Sequence, residues 1–340
     1  MSAAPRPILL IQTAFIGDVI LATALLERLH QTEPDTPVDF LVRKGNESLV
    51  KQHPHVRQVL VWNKQQDKYR GLWHLLQQIR HTQYDRVITL QRFASTGFLT
   101  AFSGARERIG FDKNPFARWF TRTTPHIIGD DVHEVARNLH LLDPAYQGPS
   151  TRPRLYPTPT DEAAAAPYAA AGPYLCIAPT SVWFTKQFPA EQWLKLLAAL
   201  PPQYTVYLLG APSDVAACDE LRQASGRATV VNLAGQLSLL ASAALMRGAV
   251  LNYVNDSAPM HLCSAVDAPI CAVFCSTVPS FGFGPLSSFS RVVEIIGGLA
   301  CKPCGLHGYR KCPLGHFRCA HGIETQQLLA VLAEAERVSK

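Results

Sequence analysis

Two α/β domains, each a parallel sheet covered by helices on both faces, are predicted for this 340-residue chain by three observations. Strand-like and helix-like runs alternate along the length, a Pro- and Ala-rich stretch over 151–172 divides them, and in each half a strand-like run passes through a turn directly into a helix start. Alternation of this kind reads as βαβ units, whose strands are buried on both faces. With 47% hydrophobic and 17% charged residues the chain can fill two cores, and its length favours two domains over one.

In the first half, Ile8-Leu9-Leu10-Ile11-Gln12 reads as a buried strand and Thr13 to Gly17 as a turn. Asp18 then opens a helix reaching about His30. Val19, Ile20, Ala22, Leu25, Leu26 and Leu29 recur there at a helical period. Gly17 permits a tight backbone turn, and Asp18 falls at the carboxyl edge of the sheet, where open α/β folds place their chemistry. A carboxylate at this point is a candidate base and equally a candidate helix cap. Further strands are expected over 38–42, 59–62 and 86–90, with a helix over 71–80. The apolar run after Arg6 imitates a secretion signal, but Gly17-Asp18 interrupts it. No run of about 18 uncharged apolar residues occurs, so no transmembrane segment is expected and cytoplasmic residence follows as an expectation.

In the second half, strands are expected over 174–178, 205–209, 250–254 and 270–274, helices over 191–200, 213–224 and 237–246, and a final helix over about 323–338. The strand over 174–178 runs into Pro179-Thr180-Ser181 and then Thr185-Lys186-Gln187, before a helix near Pro189. Hydroxyls and an ammonium at a sheet edge suit a phosphate, and also suit an ordinary surface turn. The most informative stretch is Asn255-Asp256-Ser257-Ala258-Pro259-Met260-His261, which joins the strand over 249–254 to a helix over 260–266. The first N–H groups of such a helix have no intrahelical acceptor and carry the positive end of its dipole, so an anion is favoured there. Asn, Asp and Ser at a helix start are also common caps. His261 reads either as part of that seat or as a buried helix histidine.

Several function classes are excluded. No Gly-x-Gly-x-x-Gly follows the first strand, there is no Walker A loop, and no Asp-x-Asp pair occurs to clamp a metal–diphosphate. A diphosphate leaving group would then be neutralised by the 257–259 helix start and a cationic side chain, for which Lys186 is the candidate.

These pieces as a set resemble glycosyltransferase family 9, the lipopolysaccharide heptosyltransferase group. The matching residues are Ile8 to Ile11 leading into Ile16-Gly17-Asp18-Val19, Tyr84 to Ile88 with Leu90-Gln91, Arg108-Ile109-Gly110-Phe111, Pro179-Thr180-Ser181 with Thr185 to Pro189, Leu233-Ala234-Gly235, and Asn255 to His261. The resemblance implies a GT-B architecture, two Rossmann-like domains with parallel sheets facing across a cleft. It implies an acceptor domain over 1–150, a linker over 151–172, a nucleotide-sugar domain over 173–322, and a terminal helix over 323–340 returning to the first domain as in other GT-B proteins. It further implies inverting transfer of a heptose-like sugar from an ADP-sugar, with no metal or other cofactor required. On it, Asp18 is the catalytic base, and Thr180, Ser181, Lys186, Asp256, Ser257, Ala258, Pro259 and His261 bind the donor. Apart from the resemblance, Gln91, Arg92 and Ser95 lie just beyond the strand over 86–90, where an acceptor would enter, and Gly17, Gln91, Arg92, Arg118 and Arg122 are the expected acceptor-binding residues. Ala258 departs from the family, which usually has Gly there.

The formal net charge is +6. Arg106, Arg108, Lys113, Arg118 and Arg122 interleave with Phe111, Phe116, Trp119 and Phe120, a composition suited to an anionic glycolipid head group at the inner face of the inner membrane. It also suits single-stranded nucleic acid or a plain solvated face. No RNA-binding motif accompanies it, so glycolipid ranks first and no nucleic-acid partner is expected. Among nine cysteines, Cys301-x2-Cys304 with Cys312 and Cys319 has partial zinc-site spacing, beside His307, His316 and His321. Zinc, reduced thiols and disulfides all remain open for these four, while Cys176, Cys218, Cys263, Cys271 and Cys275 read as core residues. The competing class is a non-catalytic zinc-bearing nucleic-acid-binding or adaptor protein.

Overall fold

The computed structural model describes residues 5–65, 68–147 and 151–338, folded as two compact units that divide after Tyr156. The first contains β1 (Ile8–Ile11), α1 (Ile16–Thr32), β2 (Val38–Arg43), β3 (Gln58–Trp62), α2 (Lys68–Thr82), β4 (Arg86–Thr89), α3 (Ala94–Ala101), β5 (Glu107–Phe111), β6 (Arg122–Thr124) and α4 (Glu134–Leu142). Its strands form one parallel sheet in the order β3-β2-β1-β4-β5-β6. β1 is central and wholly buried, with Leu10 in register between Phe40 and Ile88, which is why Ile8 to Ile11 show no polar alternation. α1 and α4 pack together, as do α2 and α3, which bury Leu75, Leu76, Ile79 and Leu99 with Leu9, Ile11, Leu41 and Val87.

The second unit contains α5 (Pro159–Ala169), β7 (Tyr174–Ala178), α6 (Ala190–Ala199), β8 (Thr205–Leu208), α7 (Val215–Ser225), β9 (Val230–Asn232), α8 (Leu239–Gly248), β10 (Leu251–Asn255), α9 (Ala258–Ala265), β11 (Ile270–Val273), β12 (Ser290–Val293), α10 (Arg318–His321) and α11 (Thr325–Val338). Its sheet is again parallel, in the order β12-β11-β10-β7-β8-β9. In both sheets the chain winds outward from the centre in one direction and then in the other. The order reverses between β1 and β4 in the first and between β7 and β10 in the second. The carboxyl ends of the strands flanking such a reversal form the crevice where ligands bind in open α/β sheets.

One expectation is corrected. The stretch over 151–172 is not all linker: Thr158 and Asp161 cap α5 reciprocally, at 3.0 Å from Thr158 N to Asp161 Oδ2 and 3.3 Å from Asp161 N to Thr158 Oγ1, and α5 packs on α8. The Pro density conceals a Thr-Pro helix start of the ordinary kind. The terminal helix packs within the second unit. Leu328, Val331, Leu332 and Ala335 join the core containing Trp193 and Tyr253, and the Tyr253 hydroxyl donates to the Leu328 carbonyl at 3.1 Å. Strands β5, β6, β9 and β12 are short edge or near-edge pieces of three to five residues, too brief to carry a strand period of their own.

Candidate functional site

In the first unit, the turn after β1 is pinned from three sides. Thr13 donates its N–H and its hydroxyl to Gln91 Oε1 at 3.0 and 2.8 Å, Lys64 Nζ donates to the Thr13 carbonyl at 3.0 Å, and Asn46 Nδ2 donates to the Ala14 carbonyl at 3.0 Å. This turn sets the start of α1, where the Asp18 carboxylate accepts the Phe15 N–H at 3.2 Å. Asp18 therefore caps its own helix, through one oxygen, at the β1–β4 reversal. Gln91 belongs to the same edge, but it is buried and acts through Thr13. Asn114 ties the next loop in, donating from Nδ2 to the Gln91 and Phe93 carbonyls at 2.9 and 3.2 Å; Gly97 is required beneath it, because a Cβ would lie 2.0 Å from Asn114 Oδ1.

Sequence reasoning missed a charged group beside Asp18. Glu134, at the start of α4, is buried, and burial raises its pKa while the Asp18 charge pushes it further in the same direction; Arg137 and Arg92 oppose both. Arg137 Nε donates to Glu134 Oε2 at 2.9 Å and Nη1 to Asp130 Oδ1 at 3.2 Å. His126, with Nε2 3.9 Å from Glu134 Oε2, is lowered to about 4 by burial and then by Arg92, Arg137 and Lys113, so it is neutral at pH 7. The His-Glu step opening a helix is the one signal that could have revealed this group.

The expected acceptor residues do not all gather here. Arg92 is exposed and close enough to act electrostatically on Glu134, and Ser95 lies in the first turn of α3. Arg122 opens β6, and its Nη2 donates to the Leu142 carbonyl at the far end of α4. β6 pairs only with the last residues of β5, so Arg122 stands level with Ile109, and it is the side chain, held at the opposite end of α4 from Glu134, that turns away from the set. Arg118 stacks over Trp119 at 3.8 Å to the ring centre, in the connection between β5 and β6.

In the second unit the donor candidates converge. Asn255, fully buried at the end of β10, donates from Nδ2 to the carbonyls of Ala178, Pro179 and Thr180 at 3.3, 2.9 and 3.3 Å, and its Oδ1 accepts the Phe188 N–H at 3.0 Å. One side chain thus fixes both ends of the loop carrying Thr180, Ser181 and Lys186. Asp256 Oδ2 accepts from Lys186 Nζ at 2.7 Å and from Thr277 Oγ1 at 2.6 Å. Ser257 stands at the N-cap of α9 without capping it. Its hydroxyl turns back to the Asn255 carbonyl at 3.4 Å, so the first turn, with Ala258 and Pro259, has no side-chain cap. An anion fits such a helix start. His261 is buried in that helix.

The cysteine-rich segment braces this site. Thr185, beside Lys186, donates its N–H to the Tyr309 carbonyl at 3.1 Å and accepts the Tyr309 N–H on Oγ1 at 2.7 Å; Ser276 Oγ donates to the same Oγ1 at 3.1 Å. All nine cysteines are thiols. Cys301 Sγ lies 3.9 Å from His316 Nε2, and Cys304 Sγ donates to the Cys301 carbonyl at 3.1 Å. Burial raises Cys304, and pushes Cys319 up to about 11. Among the described residues no group of three or more His, Cys, Asp or Glu is arranged to hold a metal ion, and no helix is long and apolar enough to cross a membrane.

Comparison with known proteins gives one family. Residues 72–307 match the family described as glycosyltransferase family 9 (heptosyltransferase). Lipopolysaccharide heptosyltransferase 1 of Pseudomonas aeruginosa is 26% identical over 320 residues, covering 87% of this chain and 85% of that protein. The structure of E. coli ADP-heptose lps heptosyltransferase II superposes with a TM-score of 0.81 at 21% identity, covering 97% of this chain and 99% of that one. E. coli heptosyltransferase WaaC with ADP-2-deoxy-2-fluoro heptose superposes with a TM-score of 0.68 at 23% identity, covering 86% and 94%. The likeness to both structures establishes the GT-B fold.

Proposed function

The chain belongs to glycosyltransferase family 9 and is a glycosyltransferase, and from that premise we propose that it moves heptose from ADP-heptose onto a lipopolysaccharide core or related glycolipid, with inversion and without a metal ion. The observation that carries the reading is the Asn255–Asp256–Lys186 arrangement at the β7–β10 reversal, which sets an ammonium beside an uncapped helix start. A nucleotide diphosphate leaving group needs that combination of positive charge and N–H donors. One solved relative is an ADP-heptose lps heptosyltransferase and the other was solved with ADP-2-deoxy-2-fluoro heptose, which supports this donor.

In the proposed reaction the acceptor hydroxyl oxygen attacks the anomeric carbon as the bond from that carbon to the diphosphate oxygen breaks. Asp18 takes the hydroxyl proton, and ADP leaves with the electron pair of the broken bond. Lys186 and the α9 N-terminus take up charge developing on the diphosphate, and Thr180 and Ser181 contact its oxygens. Asp256 orients Lys186 and accepts from a sugar hydroxyl. Gly17 leaves room for the acceptor, Gln91 fixes the turn that aims Asp18, and Arg92 offers positive charge to an anionic head group.

The test is ADP release, with a mass gain of one heptose, from ADP-heptose and a core acceptor lacking that heptose. Binding of ADP stabilises the folded chain in proportion to occupancy, so a thermal shift by ADP and ADP-heptose accompanies it. No shift with ADP nucleotides, alongside a shift with a uridine diphosphate sugar, would overturn the donor assignment.

A further inference from the structure

We propose that the outer face of the layer formed by α2, α3 and the turn at Ala117–Trp119 docks the first unit onto an anionic lipid bilayer. α2 is amphipathic in an unusual way. Its inner side, with Leu75, Leu76 and Ile79, belongs to the core, yet its outer side is not simply polar. Tyr69 is 78% exposed and Trp73, one turn later, 53% exposed, flanked by exposed Arg70, His74, Arg80 and His81. Large rings held outward at helical spacing beside arginines are not needed for packing, since the inner face already fills the core.

The same pattern continues across the layer. α3 packs on α2 and ends at Phe102, 40% exposed; Phe102 meets Trp119 at 6.2 Å between ring centres, Trp119 is itself 37% exposed, and Arg118 lies over it. Acidic residues are absent from 68–84 and from 86–106. The two carboxylates at the margins, Asp85 and Glu107, are both engaged by Arg106, at 2.9 and 2.8 Å. The face is therefore aromatic and net positive, with the carboxylates at its margins offset in part by Arg106.

That charge pattern selects the occupant. Tyr and Trp rings sit at the headgroup level of a bilayer, with apolar body inward and polar tip in water, and arginines beside them are drawn to anionic headgroups. Single-stranded nucleic acid would ask for rings lining a groove, whereas the outer side of a helix is a ridge. The inference rests on the proposed glycolipid acceptor for its purpose, but the residues its test changes are none of those assigned to the base, the donor or the acceptor.

The experiment is co-sedimentation of the full chain with phosphatidylcholine vesicles with and without phosphatidylglycerol. Binding is expected only to the anionic vesicles and is expected to fall with salt. Tyr69→Ser with Trp73→Ser, and separately Arg70→Glu with Arg80→Glu, should each weaken partition about tenfold or more. Melting temperature and the ADP-induced thermal shift should stay as in the parent chain. Turnover of a soluble, lipid-free acceptor should be unchanged, while turnover of the same acceptor carried on vesicles falls. Equal partition of parent and variants, equal binding to neutral vesicles, or tighter binding of a single-stranded RNA oligomer lost in the same variants would each overturn the proposal. Loss of all turnover on soluble acceptor in the parent chain would instead strike the transfer reading, leaving the partition result to be read on its own.

Discussion

Lys186 Nζ lies 2.7 Å from Asp256 Oδ2, and both side chains are mostly shielded, at 15% and 7% exposure. The pair joins the loop after β7 to the loop after β10, the two strands at which the second sheet reverses its order. A diphosphate arriving at α9 would meet an ammonium already aimed by a carboxylate, so little reorganisation is needed when charge develops.

Removing one partner should therefore cost more than removing a surface charge. Lys186→Ala leaves Asp256 with Thr277 alone, and a drop in stability of about 1–3 kcal/mol is expected by denaturant titration. Donor affinity should fall at the same time. Lys186→Arg retains the charge but not its point geometry and should recover stability more fully than turnover. A Lys186→Ala chain that bound ADP as tightly as the parent would remove Lys186 from the donor site.

Asp18 has two roles that different substitutions separate. Asp18→Asn keeps an oxygen for the Phe15 N–H but cannot accept a proton at neutral pH, so turnover should fall by about 10²- to 10⁴-fold with stability nearly unchanged. Asp18→Ala also loses the cap and should cost about 1 kcal/mol more in stability. ADP-induced thermal shifts should match the parent in both, and full turnover by Asp18→Asn would end its assignment as the base.

Both strand-to-helix junctions were legible because β1 and β10 are central strands, buried throughout, and lead through short turns into helix starts marked by Asp18 and by Ser257-Ala258-Pro259. The charged group around Glu134 was not legible, since its meaning comes from α1 and α4 packing together across more than a hundred residues of sequence. Composition groups Arg122 with Arg118, but it could not show that the Arg122 side chain is engaged by the Leu142 carbonyl at the end of α4. Gln91 was correctly assigned to the edge of the sheet, but sequence could not reveal that its oxygen is occupied by Thr13.

The pH response of folding should be set partly by buried histidines. His53 is lowered to about 3 by burial and then by His55, and His126 to about 4, against an unfolded value of 6.5. A depressed pKa means that the unfolded chain binds more protons, so the stability is present above pH 6.5 and is lost as pH falls toward the folded values. His53 alone should cost about 2 kcal/mol by pH 5. Glu134, raised by burial, acts in the opposite sense and loses stability as pH rises. Melting temperature should drop between pH 6.5 and 5, and His53→Gln should flatten that drop; an unchanged slope would contradict it.

If Lys186 and the α9 start neutralise the leaving diphosphate, chelators have nothing essential to remove from the reaction. Turnover should persist in excess EDTA, with donor KM unchanged. A loss of turnover restored by added magnesium would place a metal ion where Lys186 has been assigned.

Gly308 offers a test of how the cysteine-rich segment supports that lysine. Its φ is +77°, and a Cβ there would lie 2.9 Å from Thr185 Oγ1 and 3.2 Å from Lys186 Cγ. The segment can approach this closely only because position 308 lacks a side chain, and the approach lets Tyr309 exchange two hydrogen bonds with Thr185. Gly308→Ala forces either a backbone shift or displacement of the Lys186 stem, at an expected cost of about 1–2 kcal/mol. Because Asp18 lies in the other unit, the change should act on the donor, raising its KM several-fold more than that of the acceptor. Thr185→Ser keeps the hydroxyl that Tyr309 and Ser276 address and should leave donor KM near the parent value, whereas Thr185→Val should reproduce the Gly308→Ala effect. Equal behaviour of the Ser and Val variants would mean that the strap fills space beside Lys186 without positioning it.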